Sequence, residues 1–412
     1  GKELTRGRVT TPAANKHPGG VAAICWSGSD VVAGTKRGEV LVVASPASSA
    51  AGRMEARALV ESHFDGEVWG LASNPTGTHV VTSGDDNTVR VWEVPSFACV
   101  ASRHISKKAV AGRVRGASSM SSYAPNQSSR AADWSPDGSA IAIGLNDGGF
   151  EVLEAAELSL TTLAKKKDRR YWVQAIKFSP DGTKLAVGSH DNTIDIYRTS
   201  DYKKTATCSG HTSFVSHLDW DASSRIIHST CGGYELLFWD AASGRQLTSG
   251  ARETRSTEWA TWTLHLGWPV QGIWQNASGF EGADLTDIDG VDRSPNGRLL
   301  VTGDDYGCVN LFAYPAHTKP NAPCKVHRGH ASHVTCVRWT ADGSRVVSVG
   351  GNDCAVISWK LVGGSAGAGA AAASAGARGG AGGIRGTASR AVSSGTAPPP
   401  PPPAPPATMA SL

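Results

Sequence analysis

Histidine and aspartate recur at a fixed separation in this 412-residue chain. His63 and Asp86 are 23 positions apart, and so are His330 and Asp353. With the serine and threonine residues of the same units, such pairs could form a triad in which histidine acts as a general base. A constellation that repeats at one spacing is better explained as an architectural hydrogen-bond network. The sequence therefore predicts no catalytic residue.

A second group of residues has the side-chain types that bind zinc. Cys324, His327, His330 and His333 follow one another at intervals of three. His330 already belongs to the repeated pairs, and a loop leading into a strand does not direct all four side chains to one point. The stretches GGNDC and GDDN have neither a P-loop lysine nor a following helix. The sequence predicts no metal ion, no cofactor and no enzymatic activity.

The elements that carry these residues repeat along the chain. Each unit has an apolar strand, a turn of the Asp-Gly type, a second strand, a polar turn and a third strand that ends in a large aromatic or apolar residue. The pattern begins with histidine and ends with tryptophan in three strong copies, at 63–92, 211–239 and 330–359. Four weaker copies span 19–43, 130–153, 172–197 and 287–312. The alternation predicts β-strands in seven units.

The repeated unit resembles the WD40 repeat. The resemblance implies an all-β, seven-bladed WD40 β-propeller over residues 1–360, with four strands in each blade. The chain enters a glycine-rich tail soon after Trp359. We therefore expect the outer strand of the last blade to come from the N-terminal segment around Glu3–Thr10.

The WD40 resemblance also implies that the aspartate between the second and third strands bonds to the histidine ahead of the first strand. The first, fifth and sixth units have Arg37, Gly233 and Tyr306 at the aspartate position, and we expect packing alone to hold those blades. The predicted structural network consists of His63, Asp86, Trp92, Asp147, Asp191, His211, Trp239, His330, Asp353 and Trp359.

Four tryptophans lie close together in EWATWTLHLGWPVQGIWQN, residues 258–276. The distance from Trp239 to Phe312 is 73 residues, against 42 from Tyr197 to Trp239, which indicates an insertion of about thirty residues in the sixth unit. The alternation in EWATWTLHLG predicts the outer strand of the fifth blade, and an elaborated loop follows it.

The aromatic side chains of that loop have two possible roles. They either pack on one another as a small core or offer a protein partner an apolar anchor. We assign the structural role to Trp274, in the strand-like VQGIW, and the partner contact to Trp268, which precedes Pro269. Phe280 is a further candidate contact.

Two clusters of basic residues are candidates for binding an acidic partner. KKKDRR lies in the link between the third and fourth units, and SKKAVAGRVRG lies in the serine-rich link before the third. Such clusters either steer an acidic protein or are solvated loop charge. The candidate binding residues are Lys165, Lys166, Lys167, Arg169, Arg170, Lys107 and Lys108.

Composition restricts the class of partner and the location. The net charge is +4, and the tail holds three arginines and no acid, so the repeated part is nearly neutral and nucleic acid is not expected to bind. No run approaches the ~20 apolar residues of a membrane span, so no membrane partner is expected. The eight cysteines contain no Cys-x-x-Cys pair, which favours reduced thiols in an intracellular protein.

The chain after Lys360 is rich in glycine, alanine and proline. Residues 361–412 have too little apolar bulk to offset the entropy of ordering, so we predict a disordered tail. The run Pro398–Pro406 favours a polyproline II conformation. It either binds a proline-recognition domain or acts as a solvated spacer.

A narrower resemblance comes from the tryptophan-rich block and the units after it. EWATWTLHLGWPVQGIW, TDIDGVDRSPNGRLLVTGDDYGCVNLFAYP and HVTCVRWTADGSRVVSVGGNDCAVISW are similar to the closing blades of echinoderm microtubule-associated protein-like proteins. HFDGEVWGLASNPTGTHVVTSGDDNTVRVW resembles an earlier blade of the same propeller. The resemblance covers residues 1 to about 360, and the matching part is the second of two fused propellers in that family.

The family resemblance implies a non-enzymatic scaffold that docks tubulin, microtubules or other cytoskeletal and axonemal proteins. It would act in the cytoplasm and cytoskeleton, including the axoneme of a cilium or flagellum. The alternative is a WD40 adaptor of a ubiquitin ligase or a signalling scaffold. Many such adaptors carry Trp-Asp-x-Arg after a third strand, whereas Trp239 and Asp240 are followed by Ala241 and Ala242, which disfavours the alternative.

Overall fold

The structure is a computed structural model. It describes residues 8–10, 21–28, 30–36, 39–43, 53–94, 96–105, 128–274, 287–317, 321–362 and 408–411. Regular structure in these residues is almost entirely β-strand, as period-two alternation predicts. The helical parts within them are α1 (Gly250–Glu253) and a single 3-10 turn at Trp268–Val270.

The strands are numbered in chain order and grouped into blades. Blade 1 and the strand before it comprise β1 (Arg8–Thr10), β2 (Val21–Ser27), β3 (Asp30–Thr35), β4 (Val40–Val43) and β5 (Arg53–Val60). Blade 2 comprises β6 (Val68–Ser73), β7 (His79–Gly84), β8 (Thr88–Glu93) and β9 (Cys99–His104). Blade 3 comprises β10 (Ser129–Trp134), β11 (Ala140–Leu145), β12 (Gly149–Glu154) and β13 (Thr162–Lys167). Blade 4 comprises β14 (Val173–Phe178), β15 (Lys184–Ser189), β16 (Thr193–Arg198) and β17 (Lys203–Ser209).

Blades 5 to 7 complete the series. Blade 5 comprises β18 (Val215–Trp220), β19 (Ile226–Cys231) and β20 (Leu236–Asp240). Blade 6 comprises β21 (Ile288–Arg293), β22 (Leu299–Asp304), β23 (Cys308–Ala313) and β24 (Cys324–Arg328). Blade 7 comprises β25 (Val334–Trp339), β26 (Arg345–Gly350), β27 (Val356–Val362) and β28 (Thr408–Ser411).

Tight Asp-Gly turns join the first two strands of several blades. Gly138, Gly182 and Gly343 have φ values of 78°, 70° and 68°, a region that a residue with a Cβ atom enters only at a cost. In the first of these turns the Asp137 carboxylate accepts the backbone N–H of Ser139. Turn chemistry and strand alternation together fix the pairing register.

The seven predicted units form seven sheets, which confirms the all-β propeller class. Neighbouring strands pair antiparallel in the order of the chain, except that β1 joins β5 in parallel. The buried middle strands are apolar on both faces, as in AIAIGL of β11, because each blade is covered by a neighbour on either side.

The closing strand of the last blade is not the one expected. β28 pairs antiparallel with β27, with Trp359 opposite Ser411, so the outer strand of blade 7 comes from the C-terminal end. Residues 8–10 instead extend blade 1 as β1, which makes the prediction for Glu3–Thr10 wrong. Of the predicted disordered tail, residues 361 and 362 end β27 and Thr408–Ser411 form β28, while residues 363–407, which include Pro398–Pro406, and residue 412 lie outside the described residues.

Packing between the sheets is less regular than seven equivalent blades would give. Blade 7 packs directly on blade 2, where Val347 and Val349 share a core with Val68 and Leu71. Thr335 Oγ1 also donates to the backbone oxygen of Val68 across this contact. Blades 2 to 7 therefore form a closed series around a central channel.

Blade 1 has a small core of its own and an exposed first strand. Its buried cluster of Leu41, Val43 and Ala56 contains residues of this sheet alone. In the other blades the first strand lies beside the channel, whereas every residue of β2 is exposed, and Trp26 is 73% exposed.

The segment EWATWTLHLG is not the outer strand of blade 5, so that prediction is wrong. Blade 5 has three strands, and residues 259–265 instead lie between blades 5 and 6. The backbone N–H of Thr263 donates to Asp219 of blade 5, and the backbone oxygen of Trp262 accepts from Arg293 of blade 6. In this position the backbone N–H of Thr263 and the backbone oxygen of Trp262 both have hydrogen-bond partners, one on each neighbouring blade.

Candidate functional site

The channel has a floor of buried charged side chains. The first strands of blades 3 to 7 each have a charged residue at their fifth position, and these residues are Asp133, Lys177, Asp219, Asp292 and Arg338. Each aspartate accepts a backbone N–H from the next element around the ring, over 2.6 to 2.7 Å. The hydrogen bonds of Asp133 and Asp292 join neighbouring blades. Asp219 instead accepts from the tryptophan segment, which we define as residues 258–274.

The surroundings of the three aspartates shift their pKa values in different directions. Burial raises the pKa of Asp133 and of Asp292 to about 6 in each case. Burial opposes the ionisation of Asp219, but the Lys177 ammonium, 2.6 Å away, and the His228 ring together outweigh it and hold the pKa of Asp219 well below its usual range. The floor is thus a mixed ring of charges held by hydrogen bonds.

Two tryptophans fix the tryptophan segment against blade 5. The Trp259 ring stacks on His228 with centroids 3.5 Å apart and planes 4° apart. Trp262 meets the same histidine edge-on, at 5.0 Å and 87°, and both tryptophans are buried. The segment thereby fills the space between blades 5 and 6 as an aromatic wedge.

The other two tryptophans have different surroundings. Trp274 is half-buried, donates its Nε1–H to the backbone oxygen of His265 over 3.2 Å, and packs 6.0 Å from Tyr234. Trp268 is 61% exposed, and one face stacks on His317 at 4.8 Å and 19°. Phe280 lies outside the described residues.

The repeated histidines lie in buried hydrogen-bond networks. In blade 2, His63 Nδ1 is 2.9 Å from Asp86 Oδ2, and His63 Nε2 is 2.8 Å from Thr82 Oγ1, which also accepts Trp92 Nε1–H. The His63 and Asp86 side chains are 1% and 0% exposed, so no substrate can reach this triad-like arrangement.

Blade 7 repeats the network and blades 3 and 4 vary it. His330 bonds Asp353 over 3.0 Å and Ser348 over 2.7 Å, and Trp359 donates to the same Ser348 oxygen. In blades 3 and 4 the aspartates of the same turns form ion pairs, Asp147 with Lys167 and Asp191 with Arg169.

The expectation that packing alone holds blades 5 and 6 is wrong. In blade 5, Glu235 takes the role of the missing aspartate: its carboxylate is 3.3 Å from His211 Nδ1 and accepts the backbone N–H of Thr212. Ser229 lies 2.7 Å from His211 Nε2 and accepts Trp239 Nε1–H. In blade 6, Asp304 accepts three N–H groups, from Tyr306, Cys308 and Asn310. Arg37 lies outside the described residues.

The basic cluster near residue 167 is partly in a strand and largely paired. Lys165, Lys166 and Lys167 belong to β13, the outer strand of blade 3, and not to a link as expected. Lys165 pairs with Glu151, Lys167 with Asp147 over 3.0 Å, and Arg169 with Asp195 over 2.6 Å and Asp191. Arg170 is exposed, and Lys107 and Lys108 lie outside the described residues.

Possible metal ligands come together at a different place from the one considered in the sequence. Within the described residues, ligand atoms of His211, Cys231 and Glu235 lie within 4.8 Å of one another. His211 and Glu235 already bond each other in the blade 5 network, so this grouping has a structural explanation. His330 is likewise bonded to Asp353, whereas His333 lies 3.4 Å from Glu67.

The described helices include none with the length and apolar character to span a membrane.

A comparison with protein families identifies the part of the chain that forms blades 2 to 7. The family model described as "Echinoderm microtubule-associated protein second beta-propeller" matches residues 68–361. The chain belongs to the echinoderm microtubule-associated protein family. The predicted resemblance is confirmed, and the match begins at the first residue of β6.

Curated relatives of this family member cover most of its chain. The 77 kDa echinoderm microtubule-associated protein of Strongylocentrotus purpuratus is 38% identical over 351 residues, 84% of this chain and 46% of that protein. The ciliary WD repeat-containing protein ctxp80 of Euplotoides octocarinatus is 36% identical over 341 residues, 82% of this chain and 46% of that protein. The human echinoderm microtubule-associated protein-like 3 is 35% identical over 364 residues, 86% of this chain and 36% of that protein. The chain spans less than half the length of these relatives.

Proposed function

We propose that this chain is a non-enzymatic docking scaffold of the microtubule cytoskeleton, with tubulin or the microtubule lattice as its partner. The names of its relatives support microtubule association, and one of them is a ciliary WD repeat protein. A cytoplasmic location and a place in the axoneme of a cilium or flagellum, beside other axonemal proteins, belong to the same proposal.

The observation that carries the docking role is the exposed ring of Trp268. Large aromatic side chains are unusual on a protein surface and common at the centres of interfaces. Its neighbour His317 supports one face of the ring, so the ring is held in place and its binding would cost little conformational entropy. Trp268 therefore fits the anchor role, and Trp274 fits the structural one.

The basic residues of blade 3 would contribute less than the anchor. An acidic tubulin tail that meets Lys165 or Lys167 must compete with Glu151 and Asp147 for the same ammonium groups. Glu151 is buried, so its pair with Lys165 is the harder one to exchange. The pair of Lys167 with Asp147 is more exposed and therefore weaker, and the cluster would act mainly on the association rate. The proline run at 398–406 would bind a proline-recognition domain independently of the propeller.

Co-sedimentation with microtubules tests this proposal. The Trp268→Ala variant should keep its melting temperature and lose about 2 kcal/mol or more of binding free energy, as expected for an interface anchor. Trp274→Ala should lower the stability, because it removes a packed ring and a hydrogen bond. Microtubules stripped of their acidic tails should bind more weakly and with a flatter salt dependence if the blade 3 cluster contributes.

Tyr171→Ala is the matched control for Trp268→Ala. Tyr171 is 60% exposed, similar to Trp268, but it lies before blade 4. Both proteins should melt alike, and the tyrosine variant should pellet like the unaltered chain. Equal pelleting of Trp268→Ala and the unaltered chain would remove Trp268 from the interface.

A further inference from the structure

The mouth of the central channel is a cavity that the docking role of Trp268 does not use. It has a volume of about 380 Å³ and lies at the end where the first strands of the blades begin. The turn between β22 and β23 borders this end of blade 6, whereas Trp268 lies by the loop after β23, at the other end of that strand. The mouth and the Trp268 surface are therefore separate surfaces.

One side of the mouth already contains a guanidinium group between aromatic rings. Arg130 lies 4.5 Å from the centroid of the Trp69 ring and 4.1 Å from that of Trp172. The same guanidinium is 3.4 Å from the carboxylate of Asp85. This arrangement stabilises a cation by aromatic faces and a carboxylate together.

The opposite side of the mouth has the same kinds of groups without an arginine. The rings of Tyr234, His265 and Trp274 meet edge to face, with interplanar angles of 63° to 83° and centroids 5.6 to 6.2 Å apart. Tyr234 is 58% exposed and donates its hydroxyl to Asp287 over 3.0 Å. Asp289 lines the cavity next to this group.

A buried histidine in this second group has an unused ring nitrogen. His265 is 6% exposed and lines the cavity, and its Nδ1 has no hydrogen-bond partner in the described part of the chain. Burial lowers the pKa of His265 to about 4, so the ring is neutral and adds no positive charge that would repel a cation at this side of the mouth.

The charges around the second group favour a cation. Burial, together with the negative charges of Asp305, Asp287 and Glu67, raises the pKa of Asp289 to about 7. Asp287, Asp289 and Asp305 lie at this side of the mouth, whereas Glu67 lies beside Trp69 on the Arg130 side. A positive charge placed among the three aspartates would relieve the repulsion on Asp289.

We propose that the channel mouth binds the side chain of a lysine or arginine on an extended segment of a protein partner, against the exposed ring of Tyr234 and beside Asp287 and Asp289. The cation would meet an aromatic ring and carboxylates, as Arg130 does on the other side. Acidic tubulin tails are repelled by these carboxylates. The partner segment at the mouth is therefore basic and distinct from a tail.

Titration of the purified chain with short capped peptides tests this inference. One Gly/Ser peptide carries a single central arginine, and its twin carries the uncharged isostere citrulline. The arginine peptide should bind and change the tryptophan fluorescence, and the citrulline peptide should not. Asp287→Asn and Asp289→Asn should each weaken arginine-peptide binding about tenfold, and Tyr234→Leu should weaken it as well.

Glu157→Gln is the matched control, because it removes one exposed carboxylate in the turn between β12 and β13. It should leave peptide binding unchanged, and thermal melts should show that every variant is folded. Equal binding of the two peptides, or equal binding by all folded variants, would overturn the proposal. Microtubule co-sedimentation of the same variants should be unaffected, which separates a failure here from a failure of the Trp268 interface.

Discussion

At the scale of single residues, buried carboxyl groups set a pH dependence of stability. Burial raises the pKa of Asp133 and Asp292 to about 6, and burial with nearby carboxylates raises that of Asp289 to about 7. A carboxyl whose pKa is higher in the folded state contributes stability at low pH, and this contribution is lost as the pH rises through the folded pKa. Burial lowers the pKa values of His217 and His265 to about 3 and about 4. Below the unfolded pKa of about 6.5, these histidines therefore make stability rise with pH, which opposes the effect of the carboxyl groups.

The free energy of unfolding should therefore fall between about pH 6.5 and pH 8. Asp289→Asn should remove roughly 1 kcal/mol of that fall, because asparagine does not titrate. Urea unfolding at several pH values measures the slope. Asp201→Asn is the control: Asp201 is partly exposed, and its pKa is lowered by Arg198 to about 2, so its variant should keep the slope of the unaltered chain. A steeper slope in Asp289→Asn would contradict the assignment.

The residues of the networks were predictable where their spacing repeats. The 23-residue interval from His63 to Asp86 recurs from His330 to Asp353, and both pairs lie within hydrogen-bond distance. Glu235 was missed because it lies 24 residues after His211, and its longer side chain reaches back to the same position. The glutamate in YELLFW could have predicted this bond from the sequence. It was missed because the repeat pattern includes only aspartate at one fixed position.

At the scale of elements, the strands followed from local pattern, and the position of the tryptophan segment did not. Alternation in EWATWTLHLG indicates an extended chain, and residues 259–265 do pair with their neighbours through backbone groups. Alternation carries no information on which strand is the neighbour. The buried Asp219, which accepts from Thr263, and the ring of His228, on which Trp259 stacks, decide that. Both belong to blade 5, roughly 30 to 45 residues earlier in the chain.

The wedge should contribute strongly to stability through Trp259. Trp259→Ala removes a buried ring that stacks on His228 and contacts Phe238, and it should lower the free energy of unfolding by about 3 to 5 kcal/mol. The exposed Trp268 offers a matched control, since its replacement by alanine removes the same ring at little cost. Denaturant unfolding of both variants gives the comparison. Similar stabilities would mean that blades 5 and 6 close without the wedge.

At the scale of the whole molecule, repeat counting predicts seven sheets, and packing arranges them around the channel. Blade 7 meets blade 2 because Val347 and Val349 fill the space next to Val68 and Leu71. The strand that completes blade 7 comes from Thr408–Ser411, which follows a proline-rich stretch, and composition gave no sign of it. Local sequence records the units well, whereas closure depends on contacts between distant parts of the chain.

The closed series of blades 2 to 7 should fold without blade 1. A chain that begins at Glu61 keeps every residue of the contact between blades 7 and 2, and it removes a sheet whose buried cluster is confined to itself. Its melting temperature should lie within about 3 °C of the full chain, which for a domain of this size corresponds to about 1 kcal/mol. Removal of residues 320–412 is the contrasting deletion, because it takes away β24 of blade 6 and the whole of blade 7, and leaves Val68, Leu71 and Val80 without their partners. That protein should melt far earlier or fail to fold. If the chain from Glu61 also melts early, blade 1 takes part in closing the ring, and the direct contact of blade 7 with blade 2 is not sufficient to hold it.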